Sequence, residues 1–154
     1  MAYWLMKSEP EECSIDDVVR APSQTVPWIG VRGWQARNFM RNDMRIGDGV
    51  LFYHSSCAVP GIYGLAEVAS EPYPDETQFD PASPYYDEKS KHDKPRWYLV
   101  DVKLVRKTRV MPLAEMRNTP SIASMQVLRR GNRLSITPVT PEEWDELLRL
   151  LGTE

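Results

Sequence analysis

The sequence predicts a single α+β domain: a mixed or antiparallel β-barrel of about five or six strands, with short helices packed outside. Three observations predict it. Short runs of β-branched and aromatic residues recur through the chain, mostly too close together for βαβ crossovers. Helix-start signals appear between these runs and at the end. No repeat or linker divides the 154 residues, a length that suits one domain spanning 1–154.

Along the chain, Tyr3–Lys7 reads as a first strand. Ser14 has the chemistry of an N-cap, with Asp16 and Asp17 at the positive helix end, and Ala21-Pro22 stops that helix. Trp34–Asn42 has helical spacing, with Ala36, Phe39 and Met40 on one side and Arg37 and Arg41 on another. Gly47-Asp48-Gly49 turns into the strand Val50–His54. Pro60-Gly61 turns into Ile62–Val68, where Ile62, Gly64, Ala66 and Val68 share one parity. The small residues there imply tight packing or a bend.

Residues 72–96 are proline-rich and irregular, which marks a functional or mobile loop. Trp97–Val110 is a long strand with Val100, Val102 and Leu104 on one face. Pro112 starts a short helix, and Thr119-Pro120 opens another that runs to about Arg130 and stops at Gly131. Leu134–Val139 is a last strand. Thr140-Pro141-Glu142-Glu143 is a capping box that begins a helix with Trp144, Leu147, Leu148 and Leu151 as its buried stripe, ended by Gly152.

Composition narrows the function. Hydrophobic residues make up 42% and charged residues 27%, an ordinary globular mixture. No apolar run approaches the length of a membrane span. The start, Met1-Ala2-Tyr3-Trp4, lacks the basic region of a signal peptide, so the cytoplasm is the expected compartment, or the nucleus in a eukaryote. Two cysteines (Cys13, Cys57) and two histidines (His54, His92) are too few and too far apart for a zinc site, and neither a metal nor another cofactor is expected. In a reducing compartment no disulfide is expected either.

The net charge of −3 argues against a general nucleic-acid binder. Its distribution argues the other way. Residues 103–133 hold Lys103, Arg106, Lys107, Arg109, Arg117, Arg129, Arg130 and Arg133 against one acid, Glu115. Arg32, Arg37, Arg41 and Arg45 form a second group opposed only by Asp43. An acidic chain with such segments can still turn one positive face to phosphates. Arg37, Arg41, Lys103, Arg106, Lys107, Arg129, Arg130 and Arg133 are therefore the candidates for contacts to a nucleic-acid backbone.

Catalytic patterns are weak. His54-Ser55-Ser56-Cys57 sets a base beside nucleophiles, yet neighbours on a strand point to opposite faces. The carboxylate pairs Glu11-Glu12, Asp16-Asp17 and Glu142-Glu143 sit at helix starts, where capping accounts for them, and no catalytic residue is assigned. Trp28-Ile29-Gly30-Val31-Arg32 has no helical or strand period. A loop tryptophan beside arginines is a candidate platform for stacking a base. Trp4, Trp97 and Trp144 lie on elements with apolar partners in register and are expected in the core.

Several motifs in order carry a resemblance. They are Tyr3-Trp4-Leu5-Met6-Lys7-Ser8-Glu9-Pro10; Trp28-Ile29-Gly30-Val31-Arg32 followed by Gln35-Ala36-Arg37-Asn38; Gly47-Asp48 with Phe52-Tyr53-His54-Ser55; Gly61-Ile62 with Glu67-Val68; Tyr73-Pro74-Asp75; Trp97 with Val100-Asp101-Val102; and Arg133-Leu134-Ser135-Ile136 with Pro138-Val139. Over nearly the whole chain this resembles the EVE-domain family of the PUA-like superfamily, which is distantly related to the YTH and ASCH domains. It departs from that family at Gly33-Trp34 and at Phe39.

The resemblance implies a PUA-like fold and a module that reads a modified base, a modified cytosine or adenine in DNA or RNA, flipped into an aromatic pocket. By analogy with the methyladenine cage of YTH domains, Trp28 corresponds to the first cage wall, and Phe79, Tyr85 or Tyr86 to a second. Lys7, Ser8, Glu9, Gln35, Asn38 and Ser55 supply polar groups to such a pocket, which Gly30, Val31, Arg32, Tyr53 and His54 complete. The implied partner is nucleic acid, and no protein partner is indicated. Two other classes stay open: a hydrolytic enzyme, nuclease or amidohydrolase as among ASCH relatives, resting on His54 and Ser55; and a module for a free small ligand using the same pocket.

Overall fold

The computed structural model describes residues 1–152; Thr153 and Glu154, the end of the expected domain, lie outside the described residues. In chain order the elements are β1 (Tyr3–Ser8), α1 (Ile15–Arg20), β2 (Thr25–Pro27), α2 (Trp34–Asn38), β3 (Gly49–His54), β4 (Gly61–Val68), β5 (Tyr73–Pro74), β6 (Tyr98–Leu99), β7 (Asp101–Pro112), α3 (Leu113–Arg117), β8 (Ile136–Val139) and α4 (Pro141–Leu151). Six strands form one sheet in the order β2-β7-β4-β3-β1-β8. Every ladder is antiparallel except β1–β3. The mixed α+β architecture is that read from the sequence. Among the described residues no ladder joins the outer strands β2 and β8, so the expected barrel stays unpaired along one seam.

Both faces of the sheet are covered, which is why every residue of β3 is buried. Strand alternation sorts the side chains. Trp4, Met6, Val50 and Phe52 join one apolar cluster with Ile15 and Val18 of α1 and Ala36 and Met40 around α2. Leu5, Leu51 and Tyr53 join the other, beneath Met116 of α3 and Leu147 and Leu151 of α4. The parity read for Ile62–Val68 breaks in the middle. Ile62 and Leu65 belong to the second cluster while Tyr63, Ala66 and Val68 pack with the first, because the β4 register shifts between Ile62 and Gly64 and again at Leu65/Ala66. Gly64 is small for a packing reason: a Cβ there would stand 2.6 Å from Cδ1 of Ile15, so α1 is pressed onto the sheet.

The capping box read at Thr140 with Glu143 is present, and the Ser14 N-cap proves to be a capping box as well, completed by Asp17. The helix at 34–42 is divided: α2 passes at Phe39 into one π turn, Phe39–Asp43, closed by the Met44 N–H to Phe39 carbonyl bond of 2.8 Å. The helix expected from Thr119 to Arg130 is two 3-10 turns, Pro120–Ile122 and Gln126–Leu128. Extended Met125 between them turns Met125 and Val127 into the second cluster, a spacing no single helical face offers. Trp97 lies before the strand pair, and the expected long strand breaks at Val100 into β6 and β7. The irregular segment 72–96 contains β5, which pairs with β6, and a 3-10 turn at Glu76–Phe79. No helix among the described residues is long and apolar enough to cross a membrane.

Candidate nucleic-acid interface

A cleft of about 980 Å³ opens where the sheet fails to close. One side is Val26 and Pro27 of β2 with the following loop, Trp28 to Gly33. The other is Lys7 and Ser8 at the end of β1, then Glu9, Glu12 and Cys13, with Arg133 and Ser135 ahead of β8. Ser55, Ser56, Thr77 and the stretch Ser83–Tyr85 complete the lining. Backbone bonds hold these segments to the sheet: Ser55 N–H to Ser8 carbonyl (3.0 Å), Lys7 N–H to Ser135 carbonyl (2.8 Å) and Trp28 N–H to Val100 carbonyl (3.1 Å).

Trp28 is both core and wall. The residue is 6% exposed and its indole meets Phe52 edge-on at 5.4 Å, yet it borders the cleft. On the same side, the loop that carries Tyr85 is fastened by Arg32. All five guanidinium N–H groups of Arg32 have acceptors: the carbonyls of Val31 and Tyr85 (twice), Asp75 Oδ2 and Thr77 Oγ1, at 2.9–3.2 Å. Buried Asp75 also accepts from Gly30 N–H and from the N–H and hydroxyl of Thr77. Gly30 has φ +84°, and a Cβ there would lie 2.6 Å from Cζ of Tyr85, so the phenol ring rests on bare backbone. The Tyr85 hydroxyl donates to Glu12 Oε1. Burial, and then this bond to a carboxylate, push its pKa up to about 12.

Lys7 brings a half-buried ammonium to the cleft. Burial lowers its pKa, and the ammonium lies over the Tyr53 ring, 5.9 Å from its centre. Ser8 Oγ donates to the Cys13 carbonyl at 2.6 Å.

Of the residues expected in a pocket, Lys7, Ser8, Glu9, Trp28, Gly30, Val31, Arg32, Ser55 and Tyr85 line this cleft; Gln35, Asn38, Tyr53, His54 and Phe79 do not. Tyr53 points to the second cluster by strand alternation. His54 Nε2 accepts from Ile15 N–H at 3.1 Å, and the ring stacks on Tyr63 at 3.8 Å, so it serves the start of α1. Asn38 accepts two bonds from Arg37, Gln35 is exposed on α2, and Phe79 stacks on His92. Arg32, expected in the pocket, lines the cleft but commits its guanidinium to the loop.

The basic candidates are dispersed, because a β-strand and a turn point their side chains in several directions. Arg133 lines the cleft. Lys107 pairs with Asp16 at 2.7 Å, Arg106 donates to the Gly152 carbonyl beyond α4, and Lys103, Arg129 and Arg130 are exposed elsewhere. Arg37 lies over Trp34 and Arg41 over Tyr98. Sequence reasoning missed Glu12, Asp75 and Thr77 as parts of the site. Asp75 stands in a quoted motif, but nothing local marks it as buried. Trp4 and Trp97 are buried as read, at 5% each, while Trp144 is half-buried against Tyr3. Among the described residues no three His, Cys, Asp or Glu side chains gather as metal ligands.

The EVE domain model matches residues 2–150. The chain belongs to the EVE domain family. It is 45% identical to human thymocyte nuclear protein 1 over 97% of this chain and 73% of that protein. Among solved structures, human THYN1 in complex with 5-methylcytosine-containing DNA superposes with TM-score 0.92 at 44% identity, covering 100% of this chain and 99% of that one. A Pseudomonas putida protein superposes with TM-score 0.92 at 45% identity, covering 98% and 100%. An ASCH protein of Zymomonas mobilis, 11% identical with TM-score 0.56 over 97% of this chain and 99% of that one, shares the fold of this EVE domain.

Proposed function

We propose that this EVE domain binds nucleic acid and holds one modified base, of the 5-methylcytosine kind, in the cleft beside Trp28. The observation that carries the reading is an aromatic-walled cleft in a fold 44% identical to human THYN1, whose structure holds 5-methylcytosine-containing DNA. A base must leave its stack to be read, at a cost of a few kcal/mol. Stacking on an aromatic face returns ~1–3 kcal/mol. Trp28 and Tyr85 are the rings available, Lys7 a donor toward base acceptors, and Arg133 a cation at the cleft for a flanking phosphate.

The reading is binding without catalysis. Supporting it, His54 is occupied by Ile15 N–H and does not line the cleft that Ser55 and Ser56 do. Such a reader works where nucleic acid is accessible, in a bacterial cytoplasm or a eukaryotic nucleus.

The test is a titration of labelled oligonucleotides, with and without 5-methylcytosine, against wild type, Trp28→Ala and Trp28→Phe. The expected result is tighter binding of the modified strand that Trp28→Ala loses and Trp28→Phe partly keeps, with folding of each variant checked by circular dichroism. Equal weak binding in every combination overturns the reading.

A further inference from the structure

We propose that Glu12 is the specificity-determining acceptor of the cleft, selecting a base that carries an exocyclic amino group, the cytosine class, over its 4-oxo counterpart. The inference rests on the base-binding reading above and adds which edge is read and by what. It comes from sorting the polar lining by hydrogen-bond type. Hydroxyls such as Ser55, Ser56 and Ser135 both donate and accept, so they fit either an amino or a carbonyl group. Lys7 and Arg133 only donate. The carboxylates Glu9 and Glu12 only accept, and a carboxylate facing a carbonyl leaves two acceptors opposed.

Glu12 alone of these two carboxylates is held by a side chain on the far wall. Gly30 leaves room for the Tyr85 ring, and Arg32 grips the Tyr85 carbonyl with Nε at 3.1 Å and Nη2 at 2.9 Å while its guanidinium lies 5.5 Å from the ring centre. A ring so placed holds its hydroxyl in one position, and that hydroxyl binds Glu12 Oε1. The Glu12 main chain is itself tied by its N–H to the Glu9 carbonyl at 2.9 Å. Oε2 accepts no hydrogen bond among the described residues, and Glu12 lines the cleft. The phenol stays protonated across the neutral range, so it remains a donor and Glu12 remains oriented. A preset acceptor rejects a ligand that lacks the matching donor more strongly than a pocket reads one methyl group.

The experiment compares 5-methylcytosine with thymine at one position of an otherwise identical single-stranded oligonucleotide, so that no base pair is broken. The two bases share the ring and the methyl group and differ in the 4-amino or 4-oxo edge with its N3 proton. Wild type is expected to favour 5-methylcytosine by about tenfold or more, the range of a good base-edge contact. Glu12→Gln, whose amide can present an N–H to O4, is expected to bring that ratio to within about twofold. Tyr85→Phe keeps the ring on Gly30 and is expected to lower the ratio while retaining part of the affinity.

An unchanged ratio in Glu12→Gln, with the wild-type preference intact, overturns the role of Glu12 and leaves the cleft reading standing. Binding that is as weak in wild type as in Trp28→Ala overturns the cleft reading and this inference with it.

Discussion

His54 sits where the sequence placed a possible base, but its chemistry is structural. Its Nε2 is an acceptor for Ile15 N–H, which requires the neutral ring, and burial lowers its pKa below the ordinary value near 6.5, with Asp16 opposing in part. The unfolded chain therefore takes up this proton more readily than the folded one. Stability from this group is complete above about pH 6.5 and declines as pH falls toward the lower folded-state value. Melting temperature is expected to drop between pH 7.5 and 5.5, and His54→Gln, which accepts the same bond without titrating, is expected to flatten that drop. Gly30 makes the second prediction at this scale. Gly30→Ala forces a side chain into a left-handed backbone and against Tyr85, so a loss of about 1–3 kcal/mol in urea unfolding is expected, together with weaker oligonucleotide binding.

At the scale of elements, the long segment between β5 and β6 is ordered by buried polar groups instead of apolar packing. Gln78 is fully buried; its Nε2 donates to the carbonyls of Asp75 and Trp97, and its Oε1 accepts from Ser90 Oγ and from the N–H groups of Arg96 and Trp97. Replacing it with leucine leaves several buried backbone groups without partners, at about 1–3 kcal/mol each when fully desolvated. Gln78→Leu is therefore expected to speed amide exchange across residues 75–97 while exchange in β3 and β4 changes little. Arg32→Lys acts on the same segment from the cleft side, since an ammonium cannot reproduce five directed donors. The composition of this stretch marked it as irregular, and its prolines and charges do account for the lack of long elements. That a glutamine and an aspartate order it was not legible, because each bonds partners far along the chain.

For the whole molecule, net charge and binding charge are different quantities. The chain is acidic overall, and several of its cations are paired with carboxylates locally, among them Arg109 with Glu115 and Lys107 with Asp16. The salt dependence of oligonucleotide affinity should therefore be shallow for a chain with 19 Lys and Arg residues. Arg133→Gln is expected to lower the slope of log K against log salt by about 0.7 on single strands, the contribution of one phosphate. Arg109→Gln is expected to leave it unchanged. An equal fall in both variants places the phosphate contacts elsewhere.

What the sequence by itself determined is what depends on neighbours in the chain. The capping boxes at Ser14 and Thr140, the strand alternation that sends Trp4 and Leu5 to opposite faces, and the turn glycines are local physics, since their interactions span a few residues. The motif order likewise carried the family. Only the tertiary structure decided the site. It turned Tyr53 and His54 away, committed Arg32 to a loop more than forty residues distant, and set Glu12 against Tyr85, 73 positions later. Those pairings arise where β2 and β8 remain unjoined, and the gap between two sheet edges is a property of closure that no local window contains.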